Sequence, residues 1–265
     1  MPPNKSLHGI ANLRLIEPVG GCESSIKQRV CANPQPVNLS GVRPVRYIMK
    51  QRIKLLNNIA KNICFLPGDH ITRIAVDGVD GAGKTTFADE LAQIIKSKGR
   101  SVIRASVDNF HNPRSVRYSL GKHSPQGFFQ DSYNYHDLIK VLLNPLSPGG
   151  DRWYRRAIFD HRSDTKVSSK LEYAEIGSIF IFDGIFLHRP ELRWYWDYSI
   201  FLEVKFEISI PRGAQRDEGL PDWQAESNIR YVEGQKIYLT ECEPAKQATI
   251  VINNEDLARP YIITE

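Results

Sequence analysis

The spacing of apolar residues changes several times along the chain, and each change marks an element. Ile48, Leu55, Leu56, Ile59 and Ile63 recur at helical spacing over residues 47–64, and Pro67-Gly68-Asp69 ends the run, which predicts an amphipathic helix leading into a domain. Residues 71–76 are mostly apolar and β-branched and predict a strand. A glycine-rich turn follows, and then Phe87, Leu91, Ile94 and Ile95 line one helical face that Gly99 closes. Further strands are expected at 101–107, 178–182, 199–204 and 248–252, with residues 138–143 inside a helix. Strands that alternate with helical stretches imply an α/β fold: a parallel sheet with helices on both faces.

Two stretches lack periodicity. Residues 1–44 are rich in Pro, Asn, Ser and Gly, and their short apolar words never repeat, so they are expected to form a disordered extension ahead of one domain at 45–265. Met49 lies where order is expected to begin, which leaves an upstream start open. Residues 147–169 form a polar stretch that contains Gly149-Gly150 and the cluster Trp153, Tyr154 and Phe159, and are expected to be an insertion folded over the site.

Composition narrows the choice of function. The 265 residues are 41% hydrophobic, enough for one full core and one active site. The net charge is +5, of which residues 1–45 carry +3, so the remainder is nearly balanced and gives no case for nucleic-acid binding. Apolar runs are too short for a membrane-spanning helix, so no membrane association is expected. Cys22, Cys31, Cys64 and Cys242 form no C-x-x-C pair and are read as free thiols of a reducing, cytoplasmic setting, with no transit-peptide pattern ahead of them.

The candidate chemistry begins at the turn after the first strand. Gly78-Val79-Asp80-Gly81-Ala82-Gly83-Lys84-Thr85 fits G-x-x-x-x-G-K-[ST], a pattern expected by chance about once in a hundred such chains. Glycines let backbone N–H groups turn inward around a β-phosphate, and the next helix adds its positive end. Lys84 brings a mobile cation to the β/γ oxygens, while the Thr85 hydroxyl suits a hard Mg²⁺. A strand before the motif and a helix after it separate this P-loop from a surface turn. Two acids follow predicted strands and face the same edge: Asp108 and Asp183. Phosphoryl transfer to an alcohol needs one carboxylate to accept the hydroxyl proton and another to serve Mg²⁺ or its water shell.

These words resemble the uridine kinase and phosphoribulokinase branch of the P-loop kinases. The resemblance rests on Gly78 to Thr86, Val107-Asp108-Asn109-Phe110-His111, Gly127-Phe128-Phe129, Asp131-Ser132-Tyr133, Phe182-Asp183-Gly184-Ile185-Phe186-Leu187, Arg230-Tyr231, Gly234-Gln235 and Tyr238, in family order. It implies a P-loop NTPase fold with an acceptor insertion and a lid, ATP or GTP as donor, Mg²⁺, and a nucleoside 5′-hydroxyl as acceptor. It makes Asp108 the general base and Asp183 the metal-side acid, acting more through water than a longer Glu would. Phe110, His111, Tyr133 and His161 become acceptor contacts. Uridine kinases hold the ribose hydroxyls with an aromatic-Asp-His-Pro word. Here the chain reads Tyr133-Asn134-Tyr135-His136-Asp137, so that acid is Asp131, Asp137 or absent.

The family lid maps onto Arg212, Arg216 and Arg230, whose guanidinium groups would reach the phosphates on closure. Pro211 is expected in the first turn of a helix starting near Ser209. Trp194, Tyr195 and Trp196 are expected to be packing residues. A sugar, a sugar phosphate or a vitamin-like alcohol stays open as acceptor, as does homo-oligomerisation. A slow regulatory NTPase is a competing reading that would have no use for a base such as Asp108. Removing residues 1–44 is expected to leave turnover intact; a folded truncation without activity would place the extension in the site.

Overall fold

A computed structural model of the chain describes residues 45–264, so the disorder expected for 1–44 lies outside the described residues. The described residues begin with α1 (Val45–Cys64), β1 (Thr72–Gly78), α2 (Lys84–Ser97) and β2 (Val102–Ser106). The acceptor side follows, with α3 (Arg114–Arg117), α4 (Pro125–Asp131), α5 (Tyr135–Leu138) and the two-residue strands β3 (Trp153–Tyr154), β4 (Phe159–Asp160), β5 (Thr165–Lys166) and β6 (Glu172–Tyr173). The sheet resumes with β7 (Ile179–Gly184) and β8 (Tyr198–Glu203), and the chain continues through α6 (Phe206–Asp217), α7 (Glu226–Glu241), α8 (Pro244–Gln247), β9 (Ile250–Asn253) and β10 (Tyr261–Thr264).

The six-stranded sheet has the order β10-β9-β8-β1-β7-β2. Strands β9, β8, β1, β7 and β2 run parallel, as the alternating pattern predicts. The edge departs from that expectation: β10 pairs antiparallel with β9, a strand too short and too exposed to stand out in the sequence. Strand β1 is wholly buried in the centre, where the chain's path across the sheet reverses. Carboxyl ends of strands part at such a point and leave a crevice for a ligand.

Alternation in the central strands divides the core into two layers. Ile74 and Val76 of β1, with Ile179 and Ile181 of β7, face α1 and α2, where Leu56, Ile59, Ala60 and Ile63 meet Phe87, Leu91 and Ile95. Ala75, Phe180 and Phe182 point to the opposite face, against Phe110, Leu142, Phe186 and Tyr238. Each fully buried side chain of this size contributes about 1.5–3 kcal/mol. Trp196 stacks on Phe182 at 5.7 Å and is a packing residue as expected, whereas Trp194 is 78% exposed.

Residues 138–143 are helical as expected, ending in a widened turn where Asn144 N–H reaches back to the Ile139 carbonyl at 2.8 Å. Two local expectations need correction. Helix α6 opens at Phe206, not near Ser209, because the Lys205 carbonyl already accepts from the N–H groups of Ile208 and Ser209. Pro211 therefore lies inside the helix, where it removes a single hydrogen bond. The polar insertion forms two minimal ladders, β3 with β6 and β4 with β5, and only the β4 end reaches the crevice.

Asp77, which directly precedes the glycine motif, ends up fully buried. Its carboxylate accepts from Gly78 N–H at 2.7 Å, Leu187 N–H at 3.1 Å and the Tyr238 hydroxyl, and lies 2.7 Å from His188 Nδ1. Burial and the neighbouring Asp77 push the Tyr238 phenol well above its usual range, which keeps it a donor. One carboxylate thus joins the end of β1, the segment after β7 and helix α7. Asp77→Ala leaves three donors facing a void and is expected to cost about 3 kcal/mol or more in urea unfolding; a loss under about 1 kcal/mol would show that the network contributes little.

Candidate active site

The P-loop runs from the buried end of β1 into α2, whose first residue is Lys84. Gly81 lies against α6: with φ +73°, a Cβ there would sit 1.9 Å from the Ser209 carbonyl oxygen. No other residue type allows that approach. The Asp80 N–H turns away from the loop and donates to Gln235 Oε1 of α7 at 2.6 Å. Lys84 Nζ bonds to the Val79 carbonyl at 2.9 Å, while Thr85 and Thr86 are exposed at the start of α2.

The two acids expected at strand ends lie on either side of this loop. Asp183 is the penultimate residue of β7 and is buried. Its Oδ2 accepts from Thr85 Oγ1 at 2.7 Å and its Oδ1 accepts from Arg104 Nη2 at 2.9 Å. A hydroxyl and a carboxylate oxygen in contact suit a hard cation that takes its remaining ligands from phosphates and water, so Thr85 and Asp183 fit Mg²⁺. Arg104 was missed at the sequence level. Its signal is an arginine inside an otherwise apolar strand, which demands a partner. Asp108 lies in a turn after β2 and is exposed.

The crevice between the P-loop and the acceptor side has a volume of about 410 Å³ and is lined by Asp80, Gly81, Asp108, His111, Tyr133 and Arg216, among others. The Tyr133 hydroxyl donates to Asp108 Oδ1 at 3.3 Å, and burial, followed by the charge of Asp108, holds that phenol well above its usual range. His111 packs 4.6 Å from the Tyr133 ring and stacks on His161 at 4.8 Å between centroids. Burial pushes the His111 imidazole below its usual range against the pull of Asp108, which favours a neutral ring near pH 7.

Other expected contacts lie elsewhere. Phe110 is fully buried and packs edge-on against Phe182, so it belongs to the core and not to the crevice wall. Arg212 donates to the Asn254 and Glu255 carbonyls after β9, away from the crevice. Arg230 lines the crevice but spends its guanidinium on the carbonyls of Arg117, Gly121 and Lys122, stacked over Tyr118 at 4.9 Å. Arg216 faces the crevice from the end of α6, paired with Asp217 at 2.6 Å. Asp137 accepts from Asn134 Nδ2 at the start of α5, and Asp131 accepts from Ser119, so neither acid lines the crevice. Of the three options for a ribose-holding acid in this loop, the arrangement matches absence.

Comparison with known proteins agrees with this arrangement. Residues 73–228, well over half of the chain, match the family model described as Phosphoribulokinase / Uridine kinase family. A uridine kinase from Ligilactobacillus salivarius is 28% identical over 147 residues, covering 54% of this chain and 65% of its own length, just under two thirds. A solved structure named as a possible uridine kinase from Bacillus stearothermophilus superposes with a TM-score of 0.61 at 22% identity, over 75% of this chain and 97% of that one. Phosphoribulokinase from Rhodobacter spheroides superposes with a TM-score of 0.50 at 14% identity, over 71% of each chain, and likewise supports the fold. Among the described residues no helix is long and apolar enough to cross a membrane. With the strand-to-P-loop-to-helix unit, the two strand-end acids and the sequence match in hand, the chain belongs to the phosphoribulokinase and uridine kinase family of P-loop kinases.

Proposed function

We propose that the protein is a kinase that transfers the γ-phosphoryl group of ATP or GTP to the hydroxyl of an uncharged small molecule, and that this acceptor is a pyrimidine nucleoside such as uridine. The observation that carries the proposal is the cluster of Asp108, Tyr133, His111 and His161 across the crevice from the P-loop. It pairs a carboxylate, able to take a hydroxyl proton, with flat rings able to stack on a base. The uridine kinase relative supports the same acceptor class.

Charge supports an uncharged acceptor. Each of the three arginines lining the crevice already has its guanidinium bonded: Arg117 to the Asn112 carbonyl and Asp164, Arg230 to backbone carbonyls, and Arg216 to Asp217. A phosphate or carboxylate on the acceptor would have to share guanidinium groups that already have these partners. A hydroxylated, neutral molecule would not.

The triphosphate with Mg²⁺ supplies an electrophilic phosphorus and a leaving diphosphate. The residues of the chain do the rest. Gly78 to Thr86 cradle the phosphates, and Lys84 leaves the Val79 carbonyl to meet the β/γ oxygens. Thr85 and Asp183 would hold Mg²⁺ when it is bound. Asp108 accepts the acceptor hydroxyl's proton as its oxygen bonds to phosphorus, and the Tyr133 hydroxyl keeps that carboxylate oriented. Arg216, drawn in from the end of α6, offsets charge on the transferring oxygens.

Lys84→Ala and Asp183→Ala are each expected to abolish transfer, and near wild-type turnover in either would sink the site assignment. Asp108→Asn keeps the shape and removes the proton acceptor. Single-turnover transfer should fall about 10²- to 10⁴-fold while direct titration of the Mg²⁺-triphosphate stays unchanged. A collapse of triphosphate binding would make Asp108 a metal-side residue instead. Release of ADP or GDP stimulated by nucleosides, and by neither sugar phosphates nor glycerate, is the expected outcome of an acceptor screen. Stimulation by a phosphorylated acceptor alone would overturn the nucleoside proposal.

A further inference from the structure

The peptide between Ala82 and Gly83 has to point one way for the P-loop to work. In a trans peptide the C=O and N–H are antiparallel, so a carbonyl held outside the loop directs the next N–H inward, toward the phosphates. Asn254, fully buried after β9, provides that hold: its Nδ2 donates to the Ala82 carbonyl at 2.7 Å. The same amide group lies 3.1 Å from where a Cβ on Gly83 would be, with Leu257 Cδ2 at 3.4 Å, so this loop closes over the back of the cradle.

Asn254 is held in turn from three directions. Its N–H donates to the Glu203 carbonyl at 3.1 Å, and its own carbonyl accepts from Arg212 of α6 at 3.0 Å. Its side-chain oxygen accepts from Arg52 Nη1 at 3.3 Å, which sets the orientation of the amide so that nitrogen faces Ala82. Arg52 belongs to α1, ahead of the stretch matched by the family model, and Asn254 lies beyond its end. Arg52 Nη1 also donates to the Leu257 carbonyl at 3.0 Å, its Nε donates to Glu90 of α2 at 2.6 Å, and its guanidinium carbon lies 5.5 Å from the centre of the Phe87 ring. One guanidinium thus fixes the Asn254 loop to the helix that the P-loop opens.

We infer that Asn254 and Arg52 are positioning residues of the nucleotide site, which orient the Ala82–Gly83 peptide so that the Gly83 N–H faces the phosphates. The inference rests on the P-loop binding a nucleotide and is independent of which acceptor is used. Neither residue touches the reacting atoms. Arg52 acts through Asn254, and Asn254 acts through the backbone.

The test is titration calorimetry on the full chain with two probes, Mg²⁺-ADP and Mg²⁺-tripolyphosphate, the second having phosphates but no base. Asn254→Ala and Arg52→Ala are expected to weaken both probes by a similar factor of about tenfold, the scale of one impaired hydrogen bond to a charged group. Arg52→Lys, which keeps a donor and the charge opposite Glu90, is expected to recover most of that loss. Arg52 lies at the edge of the core, so its variants test the inference even if Asn254→Ala fails to fold, and melting curves without ligand identify the folded variants. Unchanged affinity for both probes in a folded variant would overturn the inference. So would weakening of ADP alone, which would make this loop a contact for the base and not a brace for the phosphate cradle. Because no acceptor is present, a failure of the nucleoside proposal leaves these titrations unaffected, whereas a wild-type chain that bound neither probe would refute the kinase function itself.

Discussion

A phosphate cradle made of backbone imposes a demand on everything around it. To aim several N–H groups at one anion, the loop must turn its remaining polar groups outward, into protein, where each one left unpaired costs about 1–3 kcal/mol. In this chain the outward groups find side-chain partners: Gly78 N–H meets Asp77, Asp80 N–H meets Gln235, and the Ala82 carbonyl meets Asn254. Two of these partners lie 155 and 172 residues further along the chain. Much of the surrounding fold can be understood as the framework that delivers them.

Helix α7 has the largest share of that task. Gln235 and Tyr238 reach the P-loop and Asp77, while the adjacent Gly234 packs so closely on α4 that a Cβ would sit 2.7 Å from Phe128. Arg230 of the same helix ties down the carbonyls of Arg117, Gly121 and Lys122, and Arg117 itself lines the crevice. Nucleotide side and acceptor side therefore share one rigid element.

The charges of the crevice are largely paired before any ligand arrives. Asp183 pairs with Arg104, Asp217 with Arg216 and Asp164 with Arg117, whereas Lys84 is held by a backbone carbonyl and Asp108 by the Tyr133 hydroxyl. Under the proposed function Lys84 would exchange this backbone carbonyl for phosphate oxygens, a move from a neutral to a charged partner that strengthens its bond. The Asp108 carboxylate holds a long hydrogen bond from Tyr133, so under the same proposal it would lose little on turning to a substrate hydroxyl.

Local chemistry was legible along the chain wherever neighbours in sequence perform it. The P-loop, the strands at β1, β7 and β8, the helical stripe of α1 and the placement of Asp108 and Asp183 at strand ends all follow from periodicity and from glycine, lysine and threonine at fixed spacing. The structure decided which distant groups meet. Phe110 went to the core and His111 to the crevice because a short turn after β2 sends consecutive side chains in different directions. Arg212 and Arg230, indistinguishable by composition from Arg216, turned to backbone carbonyls because α6 and α7 place them beside loops whose polar groups needed partners. Pro211 fell inside α6 because hydrogen bonding to the Lys205 carbonyl starts the helix earlier than the proline would suggest. Arg52, Asp77, Arg104 and Asn254 gave at most an incongruous polar residue beside apolar ones. Their partners are set by the packing of α1, α7 and the sheet against the P-loop, and no local pattern encodes a contact between residues whose separation is closed only when the chain folds.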